Sequence, residues 1–214
     1  MRPILITAGA TRNRIDSMRF ISANSSGRTG AKIAEALHCE GLMFMGSPEA
    51  CLRAPTGCQM STYTDTLDLM SKMKAWVDVN PDGIVVHAAA VGDYMLDPAD
   101  PEAAGKRPSG QASLEIRLVP APKILDAIRS WSASADIVSF KAAPPNADLH
   151  VLEQLAVAQR SRTDSHTVFA NTIDQIDSHI VLVDSEGALP FSDRSEAIAA
   201  LVGTLKRLRT RSTQ

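Results

Sequence analysis

Short apolar runs alternate along the chain with stretches whose apolar residues recur at helical spacing. The run Pro3–Thr7 indicates a buried first strand, because it is rich in isoleucine and is bounded by Gly9. The remaining strands are predicted at short runs of apolar or β-branched residues, namely Leu42–Met45, Gln59–Tyr63, Ile84–His87, Asp136–Phe140, His166–Ala170 and, as the last strand, Ile180–Val183.

Amphipathic stretches separate these strands. Leu69, Met73 and Trp76 fall on one face of such a helix, and Asp193 with Glu196 forms a capping pair before a final helix. The other predicted helices are Ala31–Cys39, Pro122–Trp131 and the stretch that begins at Leu149. Strands that alternate with helices indicate an α/β domain whose sheet is mostly parallel and flanked by helices.

One segment, residues 96–120, interrupts this alternation. Its prolines exclude a helix, while the alternating run Ser113–Val119 predicts a half-exposed strand. A long connection with its own strand in a compact domain is typical of a lid or a dimerisation arm. We therefore expect a protruding flap that pairs with its counterpart in a homodimer, which would cover the open strand edge.

Composition narrows the class of protein. A chain of 214 residues can build one sizeable core, so residues 1–214 are predicted to form a single domain. The 21% of charged residues and the net charge of -2 give no support to a nucleic-acid or membrane partner. The three cysteines, Cys39, Cys51 and Cys58, lack metal-ligand spacing and favour reduced thiols in a cytoplasmic protein.

Small and polar residues follow four of the predicted strands, in "TAGAT", "HAAAVGD", "SFKAA" and "FANT". Parallel strands end at one edge of a sheet, so these segments predict a shared ligand crevice. The run from Ser25 through Gly27 to Gly30 leads into a helix and is a candidate phosphate loop. Taken alone, such a run is more often an ordinary tight turn before a capped helix. We expect it on the surface, where Gly27→Val would leave the fold intact.

Six segments together resemble the phosphopantothenate–cysteine ligase family. They are "ITAGATRNRID", "RFISANSSGRTG", "HAAAVGDY", "LEIRLVPAPKIL", "VSFKAA" and "VFANT", and the resemblance runs from Ile4 to about Val183. It implies a modified Rossmann fold and a dimer whose sites take residues from both subunits. It also implies an enzyme of coenzyme A biosynthesis and pantothenate metabolism.

The resemblance implies a particular reaction. The family joins cysteine to 4′-phosphopantothenate through an acyl-nucleotide intermediate, which is formed from CTP or ATP with Mg²⁺. The partners expected are therefore these small molecules and a second copy of the chain. Bacterial members are often fused to a flavin decarboxylase; no decarboxylase half is expected here, and hence no flavin.

The resemblance further assigns roles to residues of this sequence. The positions implied for nucleotide binding are Gly9, Ser25, Ser26, Gly27 and Gly30 at the triphosphate, with Phe140 and Asn171 at the base and ribose. The positions implied for the pantothenate arm are Ala89, Ala90 and Asp93, and those implied for catalysis are Asn24, Lys106 and Lys141. No residue is expected to form a metal site.

Two departures from the family pattern affect these roles. The family asparagine associated with the acyl-nucleotide intermediate is Ala23 here, and Asn24 stands one position later. The lysine run of the family flap is reduced to "GKRPSG" around Lys106. The sequence leaves two functions open. One is the ligase, or a relative acting on a similar acyl substrate, and the other is a nucleotide-binding paralogue with a regulatory or assembly role.

The sequence also bears on one other enzyme class and on simpler roles for three residues. A short-chain NAD(P)-dependent enzyme is disfavoured, because neither G-x-G-x-x-G nor a Tyr-x-x-x-Lys pair occurs. His87 lies within an apolar strand and is predicted to be a core histidine. Asp93 could cap a turn instead of binding substrate. The sequence favours neither a ligand contact nor a solvated position for Lys141.

Overall fold

The computed structural model describes residues 1–100, 105–107, 110 and 112–211. Within these residues the chain forms twelve strands and six helices. The strands are β1 (Ile4–Ala8), β2 (Arg12–Arg14), β3 (Phe20–Ser22), β4 (Leu42–Gly46), β5 (Gln59–Thr62), β6 (Ile84–His87), β7 (Tyr94–Leu96), β8 (Leu118–Pro120), β9 (Asp136–Ala143), β10 (Thr167–Thr172), β11 (Ile180–Val183) and β12 (Ala188–Phe191). The helices are α1 (Arg28–Leu37), α2 (Pro48–Cys51), α3 (Thr66–Val79), α4 (Ile124–Trp131), α5 (Leu149–Thr163) and α6 (Arg194–Thr210).

Eight of these strands form the central sheet, in the order β12-β11-β10-β9-β6-β1-β4-β5. The six strands from β10 to β5 run parallel, and β11 and β12 complete the sheet through antiparallel pairs. The predicted α/β class with a mostly parallel sheet is confirmed. Every residue of β1 and β6 is buried, as a central parallel strand covered on both faces requires.

Helices cover both faces of the sheet. Ile6 and Val86 face a core shared with α1 and α6. Leu5, Val85 and Ile137 face the opposite core, where α3 and α4 pack, and α5 continues that layer over β10. The site described below depends on this division, because neighbouring residues of one strand reach different layers.

The chain reverses its direction of travel through the sheet between β1 and β6. From β1 it builds outward to β4 and β5, and after α3 it returns to the other side of β1 as β6. The strand order therefore reverses at the carboxyl ends of β1 and β6, the position at which α/β sheets commonly bind ligands. As predicted, β1, β6, β9 and β10 are parallel neighbours that end at this edge.

Side chains cap the N-termini of four helices, and the Ser47 hydroxyl does so for α2 by accepting from the Ala50 N–H. Asp65 accepts a hydrogen bond from the Asp68 N–H at 2.9 Å before α3, and Asp148 caps α5 in the same way. Before α6, Asp193 accepts from the N–H groups of Ser195 and Glu196. The capping position predicted for the final helix is therefore confirmed.

Several predicted boundaries were wrong. Ile180–Val183 is not the last strand, because β12 follows it as the outer strand of an antiparallel hairpin. Helix α1 begins at Arg28, before the predicted Ala31. The predicted strand Ser113–Val119 is reduced to β8, which pairs with the three residues of β7. The hairpin of β2 and β3 and the single-turn α2 are too short to show a period in the sequence.

Among the described residues, no helix is both long enough and apolar enough to cross a membrane.

Candidate functional site

The two glycine corners of the N-terminal sequence meet in space. Gly9 and Gly27 both adopt a positive φ, 90° and 75° respectively. A Cβ placed on Gly27 would lie 2.4 Å from the Cβ of Ala50 and 3.2 Å from the Gly9 nitrogen. A Cβ on Gly9 would lie 2.3 Å from Ser47 Oγ. The turn after β1, the start of α1 and the start of α2 are thus packed backbone to backbone, without room for side chains.

Gly30 makes a third close contact, within the first turn of α1. A Cβ at this position would lie 2.6 Å from the Cβ of Ala8 at the end of β1. The helix therefore rests directly on the strand. The structure brings Gly9, Gly27 and Gly30 together as the phosphate-loop prediction requires, but their contacts are packing contacts with protein.

The start of α1 offers backbone donors. Gly27 is the N-cap residue, and no side chain of the described residues caps the helix there. The first N–H groups of a helix have no intrahelical acceptor and carry its positive dipole end. Ser25 and Ser26 are half-buried beside them. This arrangement suits an anion, which would accept hydrogen bonds from the free donors.

The surface position predicted for Gly27 is wrong. Gly27 is buried against Ala50, so the valine of Gly27→Val would overlap α2 rather than project into solvent. The sequence showed a loop rich in small residues, but it could not show that a distant helical turn, α2, closes over it.

The loop after β6 is joined to the turn after β1 by backbone hydrogen bonds. Ala90 N–H donates to the Gly9 carbonyl at 2.8 Å, and Thr11 N–H donates to the Ala90 carbonyl at 3.1 Å. The Thr11 hydroxyl also accepts from the Gly92 N–H at 2.9 Å. The predicted substrate residues Ala89 and Ala90 therefore lie directly beside the predicted nucleotide corner.

Asp93 lies at the exposed end of the same loop. Its carboxylate pairs with Lys123, and its carbonyl accepts from the Ala121 N–H at 2.8 Å. Asp93 thus connects the crevice loop to the start of α4. Asp93 therefore forms an accessible ion pair and does not act as a buried turn cap.

His87 at the end of β6 is a core histidine, as predicted. Its Nδ1 lies 2.8 Å from the Thr7 hydroxyl, and that hydroxyl also accepts from the Ala89 N–H at 3.2 Å. Burial of the ring lowers the pKa of His87 from 6.5 to about 4. The neutral imidazole and Thr7 hold the crevice loop against β1.

Phe140 and Asn171 lie on the face of the sheet that α1 and α6 cover. The Phe140 ring stacks on Phe169 with centroids 5.2 Å apart and planes inclined by 26°. Asn171 Nδ2 donates to the Thr172 carbonyl at 2.9 Å. Side chains alternate along a strand, so Lys141 points to the opposite face. The structure therefore separates Lys141 from Phe140, although the two are adjacent in sequence.

Asn24 and Lys106 lie on two different accessible segments. Ala23 and Asn24 are both exposed in the stretch that follows β3. Lys106 is exposed in the short segment 105–107, which is attached to the turn between β2 and β3. There the Gly105 carbonyl accepts from the Ser17 N–H at 3.0 Å. The hairpin of β2 and β3 thus connects Asn24 and Lys106, two of the three predicted catalytic positions.

The same turn contains a buried carboxylate. Asp16 accepts hydrogen bonds from the N–H groups of Met18 and Arg19 at 2.8 and 2.7 Å. A third, longer bond of 3.4 Å comes from the Arg107 N–H. These donors, above all Met18, lower the pKa of Asp16. The ionised carboxylate fixes the flap segment against the hairpin.

Sequence reasoning missed two polar residues of the site. Asn13 accepts from the Thr66 N–H at 3.0 Å and donates to the Tyr94 carbonyl at 2.7 Å, so it joins the hairpin to α3 and β7. Arg194 donates to the Thr29 hydroxyl in the first turn of α1 at 2.8 Å. The predicted cap at Asp193 marked the start of α6 but gave no sign of where the next side chain reaches.

The switch point of the parallel sheet, with close-packed glycines at the start of α1, defines a Rossmann-like α/β protein. Residues 1–205 match the family described as the DNA/pantothenate metabolism flavoprotein C-terminal domain, and the chain belongs to that family.

Curated relatives carry the name coenzyme A biosynthesis bifunctional protein CoaBC. The protein of Thermococcus kodakarensis is 29% identical over 96% of this chain and 51% of its own length. That of Escherichia coli K12 is 26% identical over 93% of this chain and 50% of its own length. The chain therefore spans about half the length of these relatives.

Solved structures share the fold. The DNA/pantothenate metabolism flavoprotein from Streptococcus pneumoniae superposes with a TM-score of 0.84 at 21% identity, covering 97% of this chain and 99% of that one. A Cab2 mutant in complex with phosphopantothenate-cysteine gives a TM-score of 0.77 at 18% identity, covering 98% of this chain and 89% of that one. The predicted Rossmann-like fold is confirmed.

The contact between Gly27 and Ala50 yields a stability prediction. Gly27→Ala combines an overlap with α2 and a strained φ, so we expect the free energy of unfolding to fall by about 2–4 kcal/mol. Gly57 is a matched control, because its φ is also positive, at 84°, and nothing lies within 4 Å of a Cβ there. Gly57→Ala should cost about 1–2 kcal/mol from backbone strain alone.

Denaturant unfolding measures both variants, and Ala50→Gly in the Gly27→Ala background should restore part of the loss. Equal destabilisation by the two glycine substitutions would contradict close packing at Gly27.

The buried His87 ring yields a pH prediction. Between pH 6.5 and about 4 the unfolded histidine binds a proton that the folded one does not, so stability falls as pH decreases through this range. The full loss is about 3 kcal/mol. His87→Asn should lower stability at pH 7 yet flatten this part of the curve.

Unfolding free energies at several pH values test the pH prediction. His150→Asn, at an exposed position of α5, is the control and should leave the slope unchanged. Parallel curves for wild type and His87→Asn would show that another group carries the pH dependence.

Proposed function

We propose that this chain is a nucleotide-dependent ligase that joins cysteine to 4′-phosphopantothenate in coenzyme A biosynthesis. One observation carries the proposal: the glycine corner at the start of α1 and the loop after β6 are joined into a single crevice through Gly9 and Ala90. A ligase of this kind must hold an activating nucleotide and an acyl substrate side by side.

The family supports the proposal. The chain belongs to a family named for pantothenate metabolism, and its curated relatives are named for coenzyme A biosynthesis. The Cab2 neighbour, which has the same fold, was solved with phosphopantothenate-cysteine. That compound is the product of the reaction proposed here.

In this proposal the nucleotide extends from α1 to the aromatic pair. The triphosphate accepts from the first N–H groups of α1 beside Ser25 and Ser26, where Gly27 lets the backbone pass close to β1. The base and ribose lie towards Phe140 and Asn171, on the face of the sheet that α1 covers. Lys106 reaches the triphosphate from the flap.

The acyl substrate occupies the other side of the crevice. Ala89 packs on the core that α3 and α4 share, and Lys141 points to the same face of the sheet. We therefore assign Lys141, together with Ala89, Ala90 and Asp93, to the pantothenate side. The carboxylate of the substrate then meets the α-phosphate at the junction of Gly9 and Ala90.

The reaction proceeds in two steps. A carboxylate oxygen of 4′-phosphopantothenate attacks the α-phosphorus, and the bond to pyrophosphate breaks. The cysteine amine then attacks the acyl carbon, gives up a proton and displaces the nucleoside monophosphate. Both steps depend on alignment and charge neutralisation, which backbone donors and lysines provide.

Mg²⁺ enters as part of the cosubstrate. The described residues contain no group of three or more His, Cys, Asp or Glu side chains that could hold a metal ion. Mg²⁺ usually keeps several waters and binds through nucleotide phosphates with one or two carboxylates. This chain therefore fits an ion that arrives as MgCTP or MgATP.

Order of addition tests the proposal. The protein is incubated with phosphopantothenate and either MgCTP or MgATP, and pyrophosphate is measured before and after cysteine is added. We expect one nucleotide to give pyrophosphate before cysteine, and the cysteine adduct to form afterwards. Pyrophosphate that requires no phosphopantothenate, or none with either nucleotide, would contradict ligase activity.

Ala23 supports an alternative function, that of a nucleotide-binding paralogue without ligase activity. A nucleotide-binding paralogue would keep the α1 corner and lose the polar group that contacts the developing acyl-phosphate linkage. Such a protein would bind nucleotide but release no pyrophosphate. The two accessible positions 23 and 24 allow a direct test of which of them bears on the chemistry.

We predict that Ala23→Asn raises pyrophosphate release, because a lost polar contact of this kind typically costs ~10²–10³ in rate. Asn24→Ala should then have little effect. The opposite pattern, in which Asn24→Ala abolishes turnover, would show that Asn24 has taken over the role. Pyrophosphate release with the same substrates measures both variants, and no change in either would remove these positions from the chemistry.

We further propose a homodimer formed through the flap. The two-stranded sheet of β7 and β8 carries Tyr94 with 53% of its surface exposed, and Leu114 and Phe20 are also exposed. Pairing with a second copy would cover these side chains and the open strand edges. Light scattering at micromolar concentration should give the dimer mass, and a stable monomer would contradict this assembly.

We place this enzyme in the cytoplasm as a single domain over residues 1–214. Support comes from three free cysteines, Cys39, Cys51 and Cys58, whose burial raises the pKa of each thiol. Cysteines that remain free thiols are typical of a reducing compartment.

A further inference from the structure

Arg194 links three parts of the chain through one guanidinium group. It is the first residue of α6, directly after the cap residue Asp193. Its Nη2 donates to the Thr29 hydroxyl at 2.8 Å, and its Nη1 donates to the Ile176 carbonyl. The backbone N–H of Arg194 donates to the Asp177 carbonyl at 2.9 Å. The first turn of α1 is thereby connected to the loop between β10 and β11.

The same guanidinium lies against the aromatic pair. Its central carbon is 5.2 Å from the centroid of Phe169, and Phe169 stacks on Phe140 at the same centroid distance. A cation within about 6 Å of a ring centroid is attracted to the ring face. Arg194 therefore fixes the orientation of the rings as well as that of Thr29.

Charges of both signs surround the partly buried Arg194 guanidinium. Burial lowers the pKa of Arg194, and the neighbouring Arg28 acts in the same direction, while Asp177 opposes them. In the part of the chain that the structure describes, neither Arg28 nor Arg194 forms an ion pair. Two cations thus stand near the dipole-positive end of α1 without carboxylate partners in ion-pair range.

We infer that Arg194 is the positioning residue of the nucleotide site, holding the triphosphate side at Thr29 and the base side at the Phe169–Phe140 pair in one fixed geometry. The inference rests on the proposed function, because it takes the nucleotide to span these two features. A planar guanidinium can bridge two acceptors and stack on a ring at once, whereas an ammonium cannot.

Nucleotide binding to a set of variants tests this role. CTP and ATP are titrated with Mg²⁺ into wild type, Arg194→Met, Arg194→Lys, Thr29→Val and the double variant Arg194→Met/Thr29→Val. We expect Arg194→Met to weaken the preferred nucleotide about tenfold, the usual cost of one hydrogen bond from a charged group. The double variant should be no weaker than Arg194→Met, since both substitutions interrupt the same contact.

A matched control lies on the same helix. Arg207 donates to the Thr204 hydroxyl at 2.9 Å near the other end of α6, so Arg207→Met removes a similar contact far from the crevice. Its nucleotide affinity should equal that of wild type. In pyrophosphate release, Arg194→Met should raise the KM for nucleotide more than it lowers kcat, a division that a general loss of stability does not produce.

Three results would overturn the inference. Wild-type affinity in a folded Arg194→Met protein would remove Arg194 from the site. Full recovery by Arg194→Lys would show that charge alone acts, without positioning. Additive losses in the double variant would separate Arg194 from Thr29. A wild-type protein that binds neither nucleotide would instead overturn the proposed function, and this inference with it.

Discussion

The close approach of three backbone segments at the end of β1 is the constraint on which the crevice depends. Gly9, Gly27 and Ala50 are packed so tightly that a Cβ on either glycine would overlap a neighbour. This packing fixes the position at which α1 begins, and with it the first N–H groups of the helix. If the proposed phosphate site is correct, its backbone donors are held in place by these protein contacts.

The second organising contact is the junction of the loops after β1 and β6. Thr7 and His87 join the strands below it, and Gly9, Thr11 and Ala90 join the loops above it. The reversal of strand order would otherwise leave these loops free to separate. Because the two loops are hydrogen-bonded to each other, the two halves of the proposed site are built on connected backbone. Two substrates held this way need little reorganisation to react.

The two faces of the sheet carry different residues of the proposed site. Phe140 and Asn171 face α1 and α6, whereas Lys141 faces the opposite layer with Ala89. Arg194 belongs to the first group and joins it to the helix start through Thr29. In the proposed function the first group faces the nucleotide and the second faces the acyl substrate, and the two groups meet at the carboxyl ends of β1 and β6.

The sequence by itself determined the elements that are long or strongly patterned. Buried apolar runs specified β1 and β6, helical spacing specified α3, and the cap at Asp193 marked α6, because these signals are local. Only the tertiary structure decided the rest. Single-turn and three-residue elements carry no period, so α2 and the hairpin of β2 and β3 form through their contacts. The bond from Arg194 to Thr29 joins residues 165 positions apart, a distance over which no local pattern extends.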